Sequence, residues 1–410
     1  MRGQSNAPGT TRVLFCEGNI DGTIGGSYFS LLFLAAGLDR SRFEPVVVFR
    51  SSNSLIPRYK DSGIHTLVIP TPEPTTFHTP DGASNLLYRM AYPLLKVLQK
   101  AINFMKFLPL GAYECGKLLR REHIDIVHLN NSVIRNHEWM LGALLSRTPC
   151  ITHERGINTS YSWLSRFLAR RIKGVICISQ AVKDSLDNGG VRPRTSPIIY
   201  NGIDPSEMTA TAPDGGIRER HKIPPGAQLI GVIGNIKQWK GQETAIRALA
   251  AVLEKHPKTY CLFIGDIADD DRPYFETLNE LIDVNEIVDR VVFTGYTSDI
   301  PDYINALDVV LHTSVAPEPF GRVLIEAMAL RKPLIGAAAG AVPEIIDDGI
   351  TGLTFNPGDA DDLSRCINTL LDSPDSANRM GRAGYDRLVD FFHINTNIAK
   401  TQDYYTEILN

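Results

Sequence analysis

Short runs of β-branched and aromatic residues recur along the chain, each followed by a longer stretch with helical spacing. RVLFCEG (12–18) is apolar through its middle, which predicts a strand buried on both faces. A glycine-rich loop follows, and SYFSLLFLAAGLDR (27–40) has the spacing of a helix. EPVVVFR (44–50), HTLVIP (65–70), IDIVHLN (124–130), PCITHE (149–154) and GVICIS (174–179) are the next predicted strands. This rhythm predicts a parallel sheet with helices on both faces, an α/β doubly wound domain.

The rhythm restarts after TATAPDGGIRERHKIPPGAQ (209–228), a stretch rich in proline and glycine. LIGVIGNI (229–236), YCLFIGD (260–266), RVVFTGY (290–296), DVVLHTS (308–314) and PLIGAAAG (333–340) read as strands, with helices near 242–255, 272–285 and 321–331. The chain therefore divides near 200–225 into two domains of one architecture: 1–205, then 206–390. FFHINTNIAKTQDYYTEILN (391–410) has the spacing of a closing helix. Open α/β sheets bind ligands beyond the carboxyl ends of their strands, and two such sheets can enclose a two-substrate reaction between them.

One segment breaks the rhythm. Residues 85–121 are apolar and basic, with Arg89, Lys96, Lys100, Lys106, Lys117, Arg120 and Arg121 against Glu114 and the adjoining Glu122. The segment is too long for one crossover helix and predicts two, separated near Pro109. Its pattern suits an anionic membrane surface, and equally a core-packing helix with a solvated basic face.

Composition changes this picture little. The chain has 410 residues, 43% hydrophobic and 21% charged, as expected of a soluble globular protein. Its formal net charge of -4 gives no bias toward nucleic acid. The six cysteines contain no C-x-x-C pair, and the histidines form no ligand cluster, so reduced thiols and no metal site are expected. MRGQSNAPGTT lacks the apolar core of a secretory signal, and no stretch has the apolar length of a membrane span. A cytoplasmic protein is the expectation, associated peripherally with the membrane's inner face if 85–121 docks there.

Candidate chemistry lies at predicted strand ends. GTIGGSYFS (22–30) sets Gly25 and Gly26 between a strand and a helix, where backbone can approach an anion closely. The spacing is not G-x-G-x-x-G, and a tight strand-to-helix turn needs the same glycines. In VIGNIKQWKGQET (232–244), Lys240 stands beside a predicted helix start, well placed for a phosphate but outside the P-loop pattern. A surface lysine would look the same. His153 ends the strand CIT and suits acid–base or hydroxyl-binding chemistry, or simple packing.

The most informative stretch is SVAPEPFGRVLIEAMAL (314–330). Pro319 holds Glu318 extended, and Phe320-Gly321 turn into a helix. Val323, Ala327 and Leu330 fall along one face of that helix, and Glu326 leans back toward its start. Two carboxylates can thus reach one ligand while the first-turn amides of the helix meet its anionic part. The bland alternative is two solvated helix glutamates.

Taken together, in order and over nearly the whole chain, these elements resemble the retaining glycosyltransferases of the GT-B fold, in particular the family-four group. The resemblance rests on Gly25-Gly26, THE with His153, CIS with Ser179, YNGID with Asn201 and Gly202, and GNIKQWKG with Lys240. EPFGRVLIEA with Glu318 and Glu326, AVPEII with Glu344, and DGITGL complete it. It implies two Rossmann-like domains facing a central cleft, the first on the acceptor side and the second binding nucleotide sugar. The closing helix crosses back to the first domain. By position it implies that Glu326 holds the ribose hydroxyls and Glu318 the donor sugar. Lys240, with amides at Gly26 and Gly321 to Val323, holds the diphosphate, and His153 lies near the sugar's primary hydroxyl. Phe320 belongs to the same motif. Asn235 stands where the family commonly has arginine, and Lys237 or Arg322 would have to supply that charge.

The implied reaction moves a hexose-type sugar from a UDP- or GDP-sugar to a hydroxyl of a glycan or lipid-linked acceptor. It proceeds with retention and needs neither cofactor nor metal. DIADDDRPYF (266–275) then reads as a solvated acidic turn. A nucleotide-sugar epimerase or hydrolase of the same fold, and a non-catalytic sugar-nucleotide sensor, are the alternatives. The paired glutamates weigh against the first, and the intact Lys240 and His153 against the second.

Overall fold

The structure, a computed structural model, describes residues 9–18, 26–77, 86–211 and 216–410, with backbone alone at 86–90. It divides into two units. Unit 1 comprises Met1–Ile178, Lys183–Ile199 and Ile398–Asn410; unit 2 comprises Ser179–Val182 and Tyr200–Asn397.

Unit 1 contains six parallel strands: β1 (Thr11–Glu17), β2 (Phe43–Phe49), β3 (His65–Val68), β4 (Ile126–Leu129), β5 (Cys150–Glu154) and β6 (Gly174–Cys177), in the order β3-β2-β1-β4-β5-β6. Unit 2 contains β7 (Gln228–Ile233), β8 (Thr259–Ile264), β9 (Val291–Gly295), β10 (Val309–His312), β11 (Leu334–Ala337) and β12 (Leu353–Phe355), in the order β12-β11-β10-β7-β8-β9. Both orders reverse between the first and fourth strands, which is the Rossmann pattern. The crevice at that reversal is where such sheets take ligands. In unit 1 it lies between β1 and β4, and in unit 2 between β7 and β10.

The strands form where valine, isoleucine and leucine are packed from both faces. Val13, Leu14, Val46 and Val47 are fully buried in unit 1, as are Ile230, Phe263, Leu311 and Ile335 in unit 2. β12 is a strand that periodicity did not predict. Three residues are too few to show a period, and β12 is defined by its pairing with Ile335 to Ala337.

Two helical expectations are met, each with a π-helical turn added. The segment 85–121 holds two helices, Leu86–Met105 and Gly111–Arg121, separated near Pro109 by a π-helical turn, Lys106–Leu110. Proline lacks an N–H and crowds the carbonyl four residues back; the wider turn relieves both. At the C-terminus, the last helix is Ile394–Leu409, preceded by another π-helical turn at Leu388–Phe392. The chain passes from unit 2 back to unit 1 within this last helix. Its Tyr404 hydroxyl lies 2.5 Å from Thr195 Oγ1.

Candidate active site

In unit 2 the strand order brings β7 and β10 together, and the loops beyond them carry the predicted residues. Helix Gln242–Lys255 starts at Gly241, and Lys240 immediately precedes it. Lys240 Nζ donates to Glu318 Oε2 at 2.8 Å and stands 4.1 Å from the Trp239 ring centre. The Thr313 hydroxyl donates to the Lys240 carbonyl at 2.8 Å, tying the lysine loop to the end of β10. His312 Nε2 is 3.2 Å from the same Glu318 oxygen, and the Ser314 hydroxyl donates to it at 3.3 Å.

Glu318 is therefore a buried carboxylate with three partners on one oxygen. Burial alone would raise its pKa, but the His312 hydrogen bond and the Lys240 charge outweigh it, and the pKa falls to about 2. Its backbone is fixed as well. Ala341 N–H donates to the Glu318 carbonyl at 2.8 Å, and Gly340 pairs with Glu318 as an isolated bridge. Gly340 has φ +62, and a Cβ there would lie 2.2 Å from the Glu318 oxygen, so only glycine fits.

The helix beyond is Arg322–Ala329, with Gly321 as its left-handed N-cap and Phe320 buried before it. Its buried face is Leu324, Ile325, Ala327 and Met328; Val323 and Leu330 are half-buried, so the expected Val323–Ala327–Leu330 face is rotated. Glu326 does lean toward the helix start, accepting from Arg322 Nε at 3.2 Å and Nη2 at 2.9 Å. The two cations considered in place of the usual arginine are both engaged. Arg322 is held by Glu326, and Lys237 lies 3.5 Å from Asp271. Asn235 itself is exposed, its carbonyl accepting from Gln242. The acidic turn carries its own cations, with Asp269 accepting from Arg272 at 3.0 Å.

The first-domain candidate behaves differently. His153 is the penultimate residue of β5 and is buried, its Nδ1 2.7 Å from His128 Nε2. His128 Nδ1 lies 2.5 Å from the Tyr405 hydroxyl on the C-terminal helix. Burial lowers the pKa of His128 to about 3, and lowers that of His153 well below its usual value; Arg155 adds to both. Both rings are neutral. A phenol is the stronger acid, so Tyr405 donates to His128 Nδ1, and His128 Nε2–H then donates to His153 Nδ1. The remaining His153 proton sits on Nε2, a buried atom without a partner. Beside it, Glu154 accepts from Ser132 Oγ, Val133 N and Asn158 Nδ2, yet burial outweighs these bonds and pushes its pKa up to about 7.

Gly26 opens the helix Gly26–Gly37; Gly25 lies outside the described residues. At the β1/β4 reversal, Glu17 accepts from Asn130 Nδ2 at 2.7 Å and Asn131 Nδ2 at 2.6 Å.

Two family profiles match the chain: that of Glycosyltransferase Family 4 over residues 24–207, and that of Glycosyl transferases group 1 over 215–387. The chain belongs to the group 1 glycosyltransferases of the GT-B fold. This glycosyltransferase is 29% identical to the alpha-D-kanosaminyltransferase of Streptomyces kanamyceticus, over 58% of the chain and 61% of that protein. It is 24% identical to the 2-deoxystreptamine glucosyltransferase of the same organism, over 80% of the chain and 90% of that protein. The crystal structure of Anabaena Alr3699/HepE in complex with UDP-glucose superposes with a TM-score of 0.73 at 25% identity, covering 96% of the chain and 99% of that structure.

Sequence reasoning about this glycosyltransferase missed His312, His128 and Tyr405. His312 carried the same signal as His153, a histidine at a predicted strand end. Tyr405 lies 277 residues from His128, and nothing local joins them. Glu344, noted in AVPEII, accepts from the amides of Gln180 and Ala181 at 2.7 and 2.9 Å. Ser179 donates to the Pro319 carbonyl at 2.8 Å, bracing the turn after Glu318. Among the described residues, no group of three or more His, Cys, Asp or Glu is placed to hold a metal, and no helix is long and apolar enough to cross a membrane. The six cysteines are free.

Proposed function

We propose that the chain transfers a hexose-type sugar from a UDP- or GDP-sugar to a hydroxyl acceptor, with retention of configuration and without a metal. The observation that carries this reading is the cluster at the β7/β10 reversal. There an ammonium group, a carboxylate whose pKa is held low and a helix N-terminus lie together. In the reaction the anomeric carbon–phosphate oxygen bond breaks and a bond to the acceptor oxygen forms on the same face. The acceptor proton passes to the departing phosphate, and nucleoside diphosphate leaves. The barrier falls when charge growing on that phosphate meets fixed positive groups. Lys240 supplies one, and the amides at Gly321 to Val323 supply partial charge. Glu318 addresses the sugar and Glu326 the ribose; before the donor binds, Glu318 keeps Lys240 in place. His153, locked as an Nε2–H donor, serves a sugar hydroxyl rather than a proton-transfer step. The UDP-glucose complex of HepE supports a UDP-sugar donor, and the glucosyl transfer named for the 2-deoxystreptamine enzyme supports a hexose.

The test is nucleotide release from a panel of UDP- and GDP-sugars, with and without glycan and lipid-linked acceptors, and with EDTA. Acceptor-dependent release that survives EDTA, with an α-linked product from an α-linked donor, is expected. Inverted product, or loss in EDTA restored by added metal, overturns the mechanism. Epimerised donor, or binding without turnover, overturns the activity.

A further inference from the structure

The backbone around Glu318 is held from two directions, and both lead to one side chain, Glu344. In the first, Ala341 N–H donates to the Glu318 carbonyl at 2.8 Å. Ala341 is the N-cap of the short helix Val342–Ile345, and Glu344 N–H donates back to its carbonyl at 3.0 Å. In the second, the Ser179 hydroxyl donates to the carbonyl of Pro319, the next residue, at 2.8 Å. Ser179 is fully buried and also accepts from Val182 N at 3.1 Å, in the first turn of helix Gln180–Asn188. The Glu344 carboxylate joins the two arms. Its Oε2 accepts from Gln180 N at 2.7 Å and its Oε1 from Ala181 N at 2.9 Å. A closed circuit therefore runs from Glu318 through Ala341, Glu344, Gln180 and Ser179 to Pro319, and every member belongs to unit 2.

The two bonds to Glu344 are charge-assisted and meet the amides of a helix start, which strengthens both. Arg387 fixes the far end of the short helix, donating to the carbonyls of Glu344 at 2.9 Å and Ile345 at 2.8 Å. Neither arm of the circuit uses the Glu318 side chain, which is held separately by Lys240, His312 and Ser314. A donor that draws Lys240 to its diphosphate takes away the cation among those partners. The backbone circuit then carries more of the task of placing the carboxylate, and small displacements of a group at a reacting centre are costly.

We propose that Glu344 and Ser179 are positioning residues that act through Glu318, setting where its carboxylate meets the donor sugar. This assignment rests on the role given to Glu318 in glycosyl transfer, which it deepens by naming what holds that residue in place.

UDP-glucose is the probe: its turnover to UDP gives kcat and KM, and calorimetry gives the affinity for UDP alone. Glu344→Ala should lower kcat roughly tenfold, less than the ~10²-fold cost of a 1 Å misplacement because only one link is opened. Glu344→Gln keeps one acceptor oxygen and should lose about threefold. Ser179→Ala opens the same circuit, so it should lose about as much as Glu344→Ala, and the double variant no more than either. UDP affinity should stay within about twofold throughout, since Glu326 lies outside the circuit. In a Glu318→Ala background, Glu344→Ala should change kcat by less than about twofold, because the group it positions is gone. A residue needed only for the fold would cost the same factor in both backgrounds and weaken UDP binding as much as turnover; either result overturns the assignment. So does wild-type kcat in both Glu344→Gln and Ser179→Ala, the mildest changes and the least able to disturb folding. Wild-type kcat in Glu318→Ala overturns the role of Glu318 and this assignment with it, whereas wild-type kcat in Glu344→Ala alone overturns only the assignment.

Discussion

At the end of β5 in unit 1, His153 is buried and uncharged, reached through His128 and Tyr405, which are also neutral. Beyond the end of β10 in unit 2, Glu318 is nearly as buried yet ionised, beside Lys240 and His312. The sheets have the same strand order, so topology does not account for the contrast. What differs is the partner set. His153 has Arg155 and His128 nearby, and both disfavour a second proton; Glu318 has a cation and two hydrogen-bond donors on one oxygen. One fold pattern thus delivers side chains to the carboxyl ends of neighbouring positions in each sheet, the fifth strand in unit 1 and the fourth in unit 2. Their charge is decided by residues that arrive from elsewhere in the chain.

The charged end should be the more sensitive to loss of one partner. Lys240→Ala should lower kcat by roughly 10²–10³-fold, as for loss of one preorganised charge at a leaving group. It should also strip Glu318 of its cation, a destabilisation visible in denaturant melts. Lys240→Ala combined with Glu318→Gln should recover much of that stability without recovering kcat, because the buried charge goes with its partner. If the double variant is less stable than Lys240→Ala, the pair is not what holds Glu318 ionised. Glu318→Ala should depress kcat more than donor binding.

pH separates Glu318 from Glu154 by sign. Glu318 has its pKa lowered from 4.5 to about 2, so its contribution is complete above 4.5 and is lost as pH falls toward 2. Glu154 is raised from 4.5 to about 7, so the fold retains a proton there that the unfolded chain releases; this contribution is lost as pH rises from 4.5 to 7. His128, lowered from 6.5 to about 3, pulls the opposite way below 6.5, and His153 does the same. Glu154→Gln should therefore gain stability relative to wild type as pH rises, by about 3 kcal/mol at pH 8. Equal differences at pH 5 and pH 8 would show that Glu154 titrates normally.

The neutral end should yield in smaller steps. Tyr405→Phe removes the donor that orients His128, and the His153 proton is then free to move to Nδ1. Roughly a threefold to tenfold fall in kcat is expected, with donor KM nearly unchanged, as for one neutral hydrogen bond. Imidazole nitrogen shifts should report mixed tautomers at His153. A wild-type tautomer pattern in the variant would mean that Tyr405 does not orient the pair.

The sequence made most strands of both sheets visible because buried parallel strands are continuous apolar runs, as in Val46 to Val48 or Val309 to Leu311. β12 stayed hidden because pairing, not composition, makes it a strand. In the candidate site, Glu318 and Lys240 stood out from their position in turns next to helix starts, and Glu326 from its place within the helix after Glu318. Their mutual arrangement was not. The Lys240–Glu318 contact spans 78 residues, and Gly340 reads as one of several small residues until its backbone is seen against Glu318. The Tyr405–His128–His153 series joins three distant segments, and no local period encodes such a relay. The separation near Pro109 was legible, but its π-helical form was not, because whether a helix widens at a proline is set by packing.

Arg322 offers the finest test of how charge is allocated in unit 2. Its guanidinium makes two hydrogen bonds to Glu326, at 3.2 and 2.9 Å, and on the proposed reading it orients that carboxylate instead of replacing the arginine absent at Asn235. The pair is partly solvated, at 31% and 15% side-chain exposure, and worth about 0.5 kcal/mol to stability. Arg322→Gln should thus leave the melt almost unchanged and kcat unchanged, while donor KM rises about twofold to fivefold as Glu326 loses its orientation. A fall in kcat at constant KM, reversed by Asn235→Arg, would instead assign Arg322 to the leaving phosphate. In that case the charge at the end of β10 is shared along the chain between two cations rather than concentrated on Lys240.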